Sequence, residues 1–192
     1  MKRYSCLLIA FALLLYAPRA LSQDRNYEEN TRKVITVYDP KLDTTVVSFG
    51  LMRLITFYVR QETFESEEEG LRLSAFFTYK GKTFVKPESV ALLFRSIVKS
   101  TNRWELSRHK DLEITADDSH WSFPNVELLG SGPGVLVMES LGVSVPCGIF
   151  AKFANAKKVK LRLGDRSLDL SKQHLTVLRD LAVRTGCQPV IK

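Results

Sequence analysis

Short runs of β-branched and aromatic residues, separated by turn residues, recur along most of the chain. Such runs are typical of β-strands, whereas helices repeat apolar positions every three to four residues. The pattern predicts strands at 33–38, 44–49, 51–59, 71–79, 83–85, 89–98, 103–106, 111–115, 120–123, 135–145, 159–163 and 168–170. Apolar residues occupy both faces of the strand at 89–98, so we expect its middle to be buried on both sides.

Two segments near the C-terminus have helical spacing instead. Phe150, Phe153 and Ala154 predict a short helix over 147–155. A final helix is predicted from 172 to 185, because leucines form one apolar stripe and Ser171 is a good N-cap. Gly186 is placed to end this helix.

These elements predict a mainly β fold: an antiparallel, β-sandwich-like domain with one short helix and one C-terminal helix. The alternative is a partly open β-barrel. The glycine-rich segment 130–134 is expected to be a loop. No internal repeat or low-complexity tract is visible, so residues 23–192 are predicted to form a single domain.

The N-terminal segment resembles a secretory signal peptide, predicted over residues 1–22. Lys2 and Arg3 provide the positive start, an apolar stretch follows, and small residues precede a cleavage site after Ser22. The apolar stretch is shorter than the roughly 20 residues of a spanning helix. We therefore expect a secreted or periplasmic protein without a transmembrane segment in its mature chain. Removing the leader lowers the net charge from +7 to +4, which gives no reason to expect nucleic acid as a partner.

Two cysteines remain in the mature chain, Cys147 and Cys187. Export through an oxidising compartment makes them a predicted disulfide bond, although two independent thiols are the alternative. Neither cysteine has a second ligand nearby at zinc-binding spacing.

Residues 86–182 contain a series of characteristic apolar and turn positions, among them Phe150-x-x-Phe153-Ala154-Asn155 and Val159-x-Leu161-Arg162-Leu163-Gly164. This part of the chain resembles β-rich domains of exported bacterial proteins whose function is unknown. The resemblance implies export and a β-rich fold, and it implies no activity.

Motifs for catalysis are absent from the sequence. No nucleophile elbow, phosphate loop, calcium loop or dinucleotide fingerprint is present, so no cofactor is expected. Asp117, Asp118 and His120 form the most suggestive metal-binding cluster, although Asp and Ser are also the residues that turns prefer. Trp104 and Trp121 could line a sugar site, but aromatic residues in short strands are more often core.

A local excess of basic residues suggests a second kind of site. Lys158, Lys160 and Arg162 alternate along a predicted strand and therefore share one face. That face is either a solvated surface or a weak anion-binding surface for envelope polysaccharide or anionic lipid.

We therefore expect a non-enzymatic exported domain that binds an envelope or extracellular protein or polysaccharide, or serves a structural role. The alternative is a small secreted hydrolase whose carboxylates and histidines are brought together by the fold. Its site would draw on Glu105, His109 and the cluster of Asp117, Asp118 and His120.

Overall fold

The strands form two separate antiparallel sheets. A computed structural model of the chain describes residues 33–56, 70–99, 111–124, 126–132 and 136–187. The larger sheet has six strands in the order β1-β2-β3-β4-β8-β7. These strands are β1 (Val34–Asp39), β2 (Thr44–Thr56), β3 (Gly70–Lys80), β4 (Ser89–Lys99), β7 (Glu127–Gly132) and β8 (Leu136–Pro146).

The smaller sheet has four strands in the order β10-β9-β5-β6. These are β5 (Asp111–Ala116), β6 (Ser119–Pro124), β9 (Val159–Leu163) and β10 (Arg166–Asp169). Neither sheet closes on itself within the described ranges, and every strand pairing is antiparallel. The prediction of a mainly β, sandwich-like fold with two helices is thus confirmed.

The two helices are α1 (Cys147–Ala154) and α2 (Lys172–Thr185). The ends of α2 follow from its capping residues. The Ser171 hydroxyl accepts a hydrogen bond from the His174 amide, and the Ser171 amide donates to Nδ1 of His174, each at 3.2 Å. At the other end Gly186 has φ of 62°, the left-handed conformation that glycine adopts without strain. Neither helix of the described chain has the length and apolar character needed to cross a membrane.

One hydrophobic core includes residues from both sheets and both helices. Helix α1 contacts β4 and β8 of the larger sheet, β5 of the smaller sheet, and α2. Its Phe150 and Phe153 rings are buried and meet edge to face, with centroids 5.1 Å apart. Helix α2 covers β1, β2 and β3. The largest buried side chains of the strands include Phe49, Leu73, Leu92, Phe94, Leu112, Ile114, Leu141 and Leu161.

The strand at 89–98 is buried on both sides, as predicted. Leu92 and Phe94 belong to the main core, whereas Leu93 on the opposite face is also buried. Phe76, on the neighbouring strand β3, is buried outside the main core as well. The six-stranded sheet therefore excludes water from parts of both faces.

Three local predictions were wrong. Gly50 does not separate two strands, because β2 continues through it. The pairing of β2 with β3 is instead irregular after Phe49, where it shows two register shifts. Residues 83–85 form no strand, and the chain between β3 and β4 is irregular. The glycine-rich residues 130–132 belong to the edge strand β7 rather than to a loop, since an edge position tolerates glycine. Residues 1–22, 57–59 and 103–106 lie outside the described residues.

Cys147 and Cys187 lie at disulfide distance, with their Cα atoms 5.7 Å apart. Cys147 begins α1, and Cys187 follows the Gly186 cap of α2. The segment before β4 lies at the same place, because the Cys147 amide donates to the Glu88 carbonyl at 2.9 Å. The cysteine pair therefore joins the start of α1 to the end of α2 beside the β3–β4 connection.

Treatment with reductant tests whether this cysteine pair is bonded and how much it stabilises the fold. The cysteines are 40 residues apart in sequence, and the chain-entropy treatment of a loop that size gives about 4 kcal/mol. Reductant should therefore lower the free energy of unfolding by about that amount, as measured by urea denaturation. A Cys147→Ala/Cys187→Ala variant is the control and should be insensitive to reductant. Equal stability of the native protein with and without reductant would contradict a bond between these residues.

Candidate functional site

The predicted basic stripe lies on the outer face of the smaller sheet, where an acidic residue pairs with it. Arg162 on β9 stands opposite Glu113 on β5. The Arg162 Nε donates to Glu113 Oε2 at 2.8 Å, and a second guanidinium nitrogen contacts Oε1. This hydrogen-bonded pair lowers the pKa of Glu113 below its ordinary value and raises the pKa of Arg162.

The other two residues of the stripe, Lys158 and Lys160, also have acidic or polar neighbours. Lys160 stands between Thr115 of β5 and Asp169 of β10 in the strand register. The Lys158 amide donates to the Asp117 carboxylate at 3.0 Å. Acidic groups thus alternate with the basic ones on this face. The anion-binding role of Lys158, Lys160 and Arg162 therefore stays a prediction, on a face that carries both signs of charge.

Asp117 has a structural role at the turn between β5 and β6. Its two carboxylate oxygens accept hydrogen bonds from the Lys157 and Lys158 amides, at 3.1 and 3.0 Å. The Asp117 amide donates in return to the Lys158 carbonyl at 3.0 Å. The amide hydrogen bonds, with that of Lys157 contributing most, lower the pKa of Asp117. The turn is thereby fastened to the segment that leads into β9.

Asp118 and His120, the other described residues of the predicted metal cluster, form no metal-holding group with Asp117. His120 Nδ1 lies 3.2 Å from the Thr115 hydroxyl, its cross-strand partner. Asp118 is exposed at the turn. No group of three His, Cys, Asp or Glu side chains that could hold a metal occurs among the described residues. Glu105 and His109 lie outside those residues.

Trp104 and Trp121 are the two residues that could line a sugar site. Trp121 is half-buried and packs against the core, with the Lys152 ammonium 5.8 Å from its ring centroid. Trp104 lies outside the described residues. Trp121 therefore combines a packing role with one cation–π contact.

A different surface emerges at one end of the six-stranded sheet, where two connections meet. The Gly81 amide donates to the Asp43 carbonyl at 2.8 Å, which joins the β3–β4 connection to the β1–β2 turn. Tyr38 donates to the Asp43 carboxylate at 2.9 Å, and this bond raises the pKa of the phenol. The Lys82 ammonium lies 4.9 Å from the centroid of the Tyr38 ring. These contacts hold the two connections side by side.

Exposed apolar side chains lie on these connections. Phe84 is 49% exposed, Val85 is 55% exposed and Leu42 is 42% exposed. We call Tyr38, Leu42, Lys82, Phe84 and Val85 the Phe84 patch. Exposed apolar groups that gather in one region of a surface mark interaction sites more often than those that occur singly.

The Phe84 ring is held in place although half of it is exposed. It meets the Tyr79 ring edge to face, with centroids 5.6 Å apart. It also lies over Gly186, where a Cβ atom would come within 3.5 Å of the ring. Gly186 directly precedes Cys187, so the cysteine pair positions the backbone on which the ring packs.

Sequence reasoning missed the Phe84 patch. The run Thr83-Phe84-Val85 has the composition of a strand, and a strand would bury alternate residues. The only contrary signal was the pair of glycine and proline residues, Gly81 and Pro87, that bracket the run.

Comparison with known proteins adds no assignment. A scan against protein-family models, a search of curated proteins and a search of solved structures each returned no significant match to this chain.

The role of Asp117 is testable by its effect on acid stability. Because its folded pKa is lowered, its contribution is present above the ordinary aspartate pKa of about 4 and is lost as the pH falls through the lower folded value. Asp117→Asn should therefore lower the stability at neutral pH and flatten the acid decline, as measured by denaturation at a series of pH values.

Asp118→Asn is the matched control, because it removes a neighbouring charge from the same turn. An identical pH profile for the two variants would show that the amide hydrogen bonds of Asp117 are not responsible.

Proposed function

We propose that this chain is an exported, non-enzymatic domain that binds another protein of the envelope or extracellular space through the Phe84 patch. The observation that carries the proposal is a half-exposed phenylalanine ring that is fixed by contacts on two sides. Aromatic anchors contribute most to binding when they are already ordered, because little conformational entropy is then lost on association.

The composition of the patch favours a protein partner. The patch includes the exposed apolar side chains of Phe84, Val85 and Leu42. Apolar pockets or side chains of another protein complement such a surface.

Export is supported by three separate features. The N-terminal 22 residues have the pattern of a secretory leader. The cysteine pair lies at disulfide distance, and such bonds persist in secreted and periplasmic proteins. Residues 86–182 resemble domains of exported proteins. The proposed location is therefore the periplasm or the extracellular medium.

The binding role of the Phe84 patch can be tested by substituting one exposed apolar residue inside the patch and one outside it. The protein purified from its exporting cell is immobilised, and a partner is recovered from the extracytoplasmic fraction and then titrated in purified form. Phe84→Ser should weaken its binding about tenfold or more, as expected for a binding hot spot. Val183→Ser is the control, because Val183 is 79% exposed on α2 and lies outside the patch.

Thermal unfolding of both variants checks that each remains folded. Equal binding by Phe84→Ser and Val183→Ser would contradict the assignment of the patch. Release of the partner by soluble polysaccharide, with no dependence on Phe84, would also contradict it.

A further inference from the structure

The four strands at the edges of the two sheets differ in how they are protected against further pairing. Exposed edges pair with other chains unless charge, proline, short length or a bulge prevents it. Strand β10 has four residues and includes Arg166 and Asp169. Strand β7 has a register shift against β8 and contains two glycines. Strand β6 has a polar outer face and ends at Pro124.

Strand β1 has no bulge, and its one charged residue, Asp39, stands at its very end. It pairs with β2 alone within the described residues, and its six pairings follow one register without a bulge. The residues from Val34 to Tyr38 are uncharged and rich in β-branched side chains. On the outer face, Ile35 is 51% exposed and Val37 is 55% exposed. This strand therefore presents a regular, apolar edge.

The sequence of β1 is complementary to itself. When two copies run antiparallel about Thr36, Ile35 of each copy stands opposite Val37 of the other. The same register places Lys33 opposite Asp39 of the second copy at both ends. Because odd-numbered residues share one face, four β-branched side chains then form one cluster between two pairs of opposite charge. This single register therefore places opposite charges together at both ends of the paired strands.

We propose that two copies of this chain associate through β1, antiparallel and centred on Thr36. The two six-stranded sheets then become one continuous sheet, and the outer-face cluster is removed from water. The occupant of this edge is a second copy, because in this register the apolar residues Ile35 and Val37 of one copy face those of the other, and Lys33, which precedes β1, stands opposite Asp39. This inference does not depend on the Phe84 patch.

Sedimentation equilibrium of the protein purified from its exporting cell tests the association. The protein should show a concentration-dependent dimer. Val37→Lys places a charge in the apolar cluster twice per dimer and should raise the dissociation constant about tenfold or more. Val183→Lys adds the same charge at an exposed site on α2 and should leave the constant unchanged.

Cysteine cross-linking tests the register. Thr36 is exposed and stands opposite itself in the proposed dimer, so Thr36→Cys should give a covalent dimer under mild oxidation. Ser122→Cys is the control, because Ser122 is exposed on the edge strand β6.

Each of the following results would overturn the proposal. These are a monomer at every concentration, a dimer that Val37→Lys leaves unchanged, and cross-linking of Thr36→Cys no faster than that of Ser122→Cys. Binding of a different protein at β1 by a chain that stays monomeric would also exclude a second copy as the occupant.

Discussion

The packing of α1 against both sheets is the interaction on which the rest of the structure depends. This eight-residue helix is too short to be stable alone in water, so its conformation is maintained by burial. Phe150 and Phe153 are almost completely removed from solvent, and the helix contacts β4, β8 and β5. A single core therefore includes both sheets, although their strands are not hydrogen-bonded to each other.

The same helix connects the core to the proposed binding surface. Its first residue, Cys147, lies at disulfide distance from Cys187, which follows the end of α2. Gly186 is thereby held beneath the Phe84 ring. Burial in the core, the cysteine pair and the exposed ring thus form one sequence of contacts. In the proposed dimer each copy contributes one Phe84 patch, so a partner with two epitopes gains avidity if its spacing permits both to engage.

The parts of the fold that could be predicted are those that local sequence determines. Helix α2 has both caps in its own sequence, at Ser171 and Gly186, and its bounds were predicted correctly. The alternation of Val159, Leu161 and Leu163 also identified a half-buried strand. The choice of partner strand is not local, because alternation gives the buried face of a strand and leaves its neighbours open. A two-sheet fold was predicted, but which strands belong to which sheet could not be derived.

The candidate sites also divide into features that local sequence determines and contacts between residues far apart in sequence. Cys147 and Cys187 could be paired because only two cysteines lie outside the predicted leader. The alternation of Lys160 and Arg162 predicted their shared face, but Glu113 is 49 residues from Arg162 and its charge compensation depends on strand register. Asp117 was considered as a metal ligand, whereas the amides that it accepts from are 40 and 41 residues away. The exposure of Phe84 was not predicted, because it results from an irregular connection whose composition is typical of a strand.

Native-state hydrogen exchange tests the central role of α1 most directly. Amide exchange is followed by mass spectrometry at increasing denaturant, and the opening free energy of β3 and β4 is compared with that of β5 and β9. Because one core includes both sheets, we expect the two sets of amides to open together with the same free energy. Opening of β5 and β9 at a clearly lower denaturant concentration, while β3 and β4 stay protected, would contradict it.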